Sequence, residues 1–197
     1  MPAMSPLPAS TFAAVFSLLS LPAAAGPLVD AATKAEQMAT SGNPVGAHEA
    51  MREAYGAFSS GLPFSIGRAT FVTEPPEGYG MYTPRPNAVY KTGEPLISYV
   101  EPVGLSWRPV DGGKVEAQFT VDLELLNAKG ETLAEKKAFG SFTYRGFMRN
   151  QEIFAKLTLT LSAEGPPQGD YVVRYRFRDA ISGAVALSDQ KFSISPQ

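Results

Sequence analysis

From Phe64 to the C-terminus, apolar and polar residues alternate with a period of two. In KVEAQFTVDLEL, Val115, Ala117, Phe119, Val121, Leu123 and Leu125 fall on one face. Glu116, Gln118, Thr120, Asp122 and Glu124 fall on the other. IFAKLTLTL repeats the pattern with Ile153, Ala155, Leu157, Leu159 and Leu161, and YVVRYRFR with Tyr171, Val173, Tyr175 and Phe177. Such alternation marks strands buried on one side, because successive side chains of a strand point to opposite faces. Turn formers separate the runs: DGG at 111–113, NAKG at 127–130, GPPQGD at 165–170 and AISG at 180–183. No crossover helix intervenes, so the sheets are expected to be antiparallel. In the last strand Val185 and Leu187 are out of phase with Phe192 and Ile194, and a bulge near Ser188–Lys191 is expected to return both pairs to the core. Glu135, Lys136 and Lys137 form a charged run that suits a sheet edge.

Between Asp30 and Phe58 the period is helical. Asp30 is expected to cap a first helix with Ala31, Ala35 and Met38 at helical spacing, and SGNP (Ser41–Pro44) to end it. A second helix, from about Val45, stacks Ala47, Met51, Ala54 and Phe58 on one face and leaves His48, Arg52 and Glu53 outside it. Ala35, the Gly42–Asn43 turn, Ala47, Met51 and Ala54 together resemble a single tetratricopeptide-type hairpin. Such units bury their faces against neighbours, so a single copy is expected to pack on the domain that follows.

The order of the strands resembles an immunoglobulin-like or fibronectin-type β-sandwich, with YKTGEPLISYV as its second strand. Residues 114–126, 131–140, 153–161, 170–178 and 184–194 follow as the third to the last. Tyr171 stands near the start of the next-to-last strand, like that family's corner tyrosine. Val173 stands where antibody-type domains carry a cysteine. The fold expected is mainly β: an antiparallel Ig-like β-sandwich over 63–197, preceded by a short α-helical hairpin over 26–62.

The first 29 residues carry no charged side chain, and TFAAVFSLLSL (Thr11–Leu21) precedes Ala23 and Ala25 at signal-peptidase spacing. Residues 1–25 therefore read as a signal peptide, although a basic start is missing. The run is too short to span a bilayer comfortably, so no membrane span is expected once it is cleaved. The address expected is the bacterial periplasm or the exterior. With 0 cysteines there are no thiolate metal sites, thiol nucleophiles or disulfides, and a net charge of −2 argues against nucleic acid as a partner.

Arg174, Arg176 and Arg178 alternate along RYRFRD. In a sandwich they would face Glu116, Asp122 and Glu124 across the third strand, which explains the strip without an outside anion. His48 is the single histidine, and it reads as a solvated helix residue. Glycine-rich phosphate loops, nucleophile elbows and calcium loops are absent from the sequence, so neither an enzyme nor a cofactor is expected. The unusual segment is EPPEGYGMYTPRPNAVYKTGE (Glu74–Glu94). Its Tyr79, Tyr82, Arg85 and Tyr90, with Trp107, are the candidate binding residues, since exposed rings beside a guanidinium can receive a peptide or a sugar. The expectation is a non-enzymatic protein contacting another cell-envelope protein through the hairpin or this loop. The alternative is a carbohydrate-binding accessory domain using Tyr79, Tyr82 and Trp107.

Overall fold

The structure, a computed structural model, describes residues 26–162 and 165–195. The expected signal peptide lies outside the described residues. The first helix, α1, spans Pro27–Thr40 and opens on Gly26 rather than on Asp30. Pro27 starts the helix with a preset φ and no N–H to satisfy, and this moves the start upstream. Asp30 instead sits in the first turn, where the helix end favours a carboxylate. Gly42, at φ +83°, turns the chain, and the Asn43 side chain caps α2 (Pro44–Ser60) by accepting from the Gly46 N–H at 3.0 Å. The helices meet through small residues, Ala35 and Ala47, both buried. The expected apolar stripe of α2 is not buried as a whole: Met51 and Phe58 are exposed, and the buried positions further along are Gly56 and Ser59.

Among the described residues nine strands follow: β1 Ser65–Val72, β2 Val89–Tyr90, β3 Pro95–Val103, β4 Arg108–Val110, β5 Lys114–Asn127, β6 Thr132–Gly146, β7 Ala155–Thr160, β8 Gly169–Asp179 and β9 Val185–Ile194. One sheet has the order β1-β3-β7. The other runs β2-β9-β8-β5, with β4 beside the start of β5 and β6 along its opposite edge. All pairings are antiparallel except β2 with β9. This is an Ig-like sandwich. Its core joins Leu96, Val100, Ala155 and Leu157 of the first sheet to Phe119, Val121, Tyr175 and Phe177 of the second. Tyr171 makes the expected corner, its hydroxyl donating to the Pro167 carbonyl at 2.5 Å.

The bulge expected in β9 is absent. The β8–β9 register runs without a break from Arg178↔Val185 to Gly169↔Ile194. Val185 and Leu187 therefore stay outside, while Ser188 and Gln190 turn inward opposite Tyr175 and Val173. A bulge lies on β6 instead, where the register shifts between Val121↔Gly140 and Leu123↔Lys136. Ala138 there adopts φ +48°, and its N–H donates to the Asp122 carboxylate at 2.8 Å.

The arginine strip is paired, but partly with other carboxylates than expected. Arg174 makes a two-pronged contact with Asp189 on β9, at 2.7 and 2.6 Å. Arg176 reaches Glu124 at 3.5 Å, and Arg178 is exposed opposite Thr120. Glu116 faces outward as its alternation requires, yet it is only 1% exposed, because Arg108 and Arg145 close over it from either side. Their hydrogen bonds hold its carboxyl below the usual range.

Candidate functional site

Loop 73–88 leaves β1, folds back over it and reaches β2. The Arg85 N–H donates to the Phe71 carbonyl at 2.9 Å, and the Gly80 N–H to the Tyr99 hydroxyl at 2.8 Å. These bonds lay the loop across the outer face of the smaller sheet. Tyr82 stacks on Tyr99 with centroids 4.1 Å apart, and Tyr99 in turn stacks on Phe154 at 5.4 Å. The Tyr82 hydroxyl accepts from Arg68 at 3.0 Å. Burial pushes the Tyr99 hydroxyl well above its ordinary pKa, and the nearby Glu101 carboxylate, its acceptor at 2.7 Å, adds to the rise.

The five candidate residues therefore have different fates. Tyr90 is 1% exposed and packs edge-on to Phe71 and Phe192, so it is a core residue rather than a ligand contact. Its burial pushes the hydroxyl up to about 12. Arg85 lies 4.1 Å over the Tyr90 ring, pairs with Glu94 at 2.7 Å and donates to the Val89 carbonyl, so its charge is spent inside the fold. Tyr82 is half-buried in its stack, and Trp107 is half-buried against the core. Tyr79 alone among the five is exposed, with its hydroxyl 3.5 Å from Glu101. The structure brings Tyr79 and Trp107 together with Tyr55 of α2 around a small cavity of about 40 Å³. Arg85 and Tyr90 form a separate structural pair.

A larger concave surface lies where the loop 147–152, between β6 and β7, crosses α2. The loop braces itself: Asn150 accepts from the Glu152 N–H at 3.0 Å, and Gln151 donates to the Arg149 carbonyl at 3.3 Å. It comes close enough to α2 that a Cβ on Gly56 would meet the Arg149 carbonyl at 3.8 Å. Arg52, Met148 and Arg149 form a ridge with a groove on each side. One groove, of about 450 Å³, adds Ala57, Val115 and Phe147. The other, of about 540 Å³, adds His48, Met51 and Tyr55. Phe147 is 75% exposed and Tyr55 53%, and Met51, Phe58 and Met148 also face outward. Arginine, methionine and aromatic rings are the residue types that concentrate at the centres of protein interfaces.

This surface escapes a periodicity analysis. GFMRNQ interrupts the alternation with two adjacent large apolar residues in a loop, and that break is the one sequence signal pointing to it.

No family model and no curated protein matches the chain. Solved structures similar to part of it include the PKD domain of an M14-like peptidase from Thermoplasmatales archaeon SCGC AB-540-F20. That likeness has 12% identity and a TM-score of 0.38, covering 68% of this chain and 98% of that one. The sporulation control protein Spo0M from Bacillus subtilis is similar at 13% identity and a TM-score of 0.39, over 69% of this chain and 51%, about half, of its own length.

Proposed function

We propose that the protein is a non-enzymatic binding protein of the bacterial cell envelope, periplasmic or secreted, that docks another polypeptide on α2 and the loop 147–152. In this reading the hairpin over 26–62 is a single tetratricopeptide-like unit mounted on the sandwich over 63–197, and residues 1–25 are an export signal. The observation that carries the proposal is the continuous apolar and cationic surface of Met51, Tyr55, Phe147 and Met148 with Arg52 and Arg149. A surface of this composition beside two grooves is suited to a partner, because monomers seldom leave contiguous apolar patches uncovered. The glycan alternative has less support, since Tyr82 and Trp107 give up ring area to packing and leave Tyr79 as the exposed member of that set.

A photo-crosslinking amino acid placed at Phe147, at Tyr55 or, as a control, at Leu133 tests the proposal in envelope extracts. A discrete polypeptide adduct at Phe147 and Tyr55 but not at Leu133 is the expected result. Adducts at Leu133 alone, or none at any position, would overturn it.

A further inference from the structure

We infer that the occupant of the groove beside Phe147 is an acidic, apolar segment of the partner polypeptide, a deepening that rests on the site proposed above. The groove sets cationic side chains around an apolar floor. Arg149 has no carboxylate within ion-pair distance among the described residues, and Arg52 has only Glu49, at 3.9 Å. Lys114 sits 5.3 Å from the centroid of the Phe147 ring and is likewise without an ion pair among the described residues.

Against these cations, the groove itself contributes one acid, Glu53, and the neighbouring groove Glu152. In the groove beside Phe147, Arg52, Arg149 and the nearby Lys114 outnumber Glu53, on a chain of net charge −2. The floor of Val115, Ala57 and Phe147 fits a large apolar side chain, and the guanidiniums on its rim fit carboxylates beside it. Guanidiniums pair with carboxylates through directed N–H groups, so the charges orient the segment as well as attract it.

The test is selection of a displayed random-peptide library on the protein. Selected peptides are then resynthesised and titrated calorimetrically against the wild type, Phe147→Ala/Met148→Ala and Arg52→Glu/Arg149→Glu. All four side chains are solvent-facing, and thermal melting of each variant verifies folding. The expected peptides carry Asp or Glu beside Phe, Leu or Met and lose binding to the alanine pair. The charge-reversed pair weakens them about tenfold, and added salt weakens them further. Selection on the charge-reversed protein is expected to enrich Lys and Arg instead. Peptides that need Phe147 and Met148 but show no acidic bias would overturn the charge assignment and leave the site standing. Peptides indifferent to Phe147 and Met148, or oligonucleotides binding as tightly, would overturn the site together with its occupant.

Discussion

Asp179, at the end of β8, is wholly buried, yet its carboxylate is fully used: it accepts from the N–H groups of Ser106 and Ile181, each at 2.8 Å, and of Ser182 at 3.2 Å. Burial alone would raise its pKa, but these donors outweigh it and hold the carboxyl below its ordinary value. Asp179→Ala strands three backbone donors, so it is expected to cost about 3 kcal/mol, read as a lower denaturation midpoint in urea. Glu116 and Asp189 are also held low, by hydrogen bonds from Arg108 and Arg145 and from Arg174 respectively. A carboxylate whose folded pKa is depressed contributes stability above its unfolded value, and loses that contribution as pH falls through the folded value. Thermal stability is therefore expected to decline below about pH 4.5, the ordinary value for Glu116. The gap between wild type and Glu116→Gln should shrink as pH falls below about 4.5 in a melting series. A constant gap would place the role of Glu116 in packing and not in charge.

At the scale of elements, one glycine fixes how the hairpin joins the sandwich. Gly104 follows β3 at φ +72°, and a Cβ there would stand 2.6 Å from the carbonyl oxygens of Leu62 and Pro63. The exit of α2 thus rests on the end of β3, and Gly104→Ala is expected to cost about 3 kcal/mol in chemical denaturation through both clash and backbone strain. The strands β5, β7 and β8 were legible from sequence because each is buried on one face only, so period two reads directly as burial. β2 and β4, with 2 and 3 residues, are too short to carry any period. β9 misled for a different reason: hydrogen-bonded register with β8 prevailed over hydrophobic phase, and Ser188 and Gln190 were accepted into the core at the expense of Val185 and Leu187. For the site, the aromatic loop was visible as composition. The destination of its rings depends on Tyr99 and Phe154, which are distant in sequence and gave no local sign of it.

The molecule as a whole turns an apolar and cationic face to one end, where hairpin and sandwich meet, and a strongly charged sheet edge along one side. That edge is β6, whose residues from Thr132 to Ala138 are all exposed. Lys137 contacts Glu135 and lies 3.7 Å from Asp122, while the kink at Ala138 breaks the line of the strand. The consequence concerns the protein in bulk. A long strand with one unpaired side is a growth point onto which a second molecule can add, and charges with a backbone kink are what make that addition unfavourable. Glu135→Val/Lys136→Val/Lys137→Val would leave the core untouched, and it is expected to melt near the wild-type temperature. It should nonetheless scatter light increasingly with concentration and time. The three charges would then govern shelf life and colloidal behaviour, not folding.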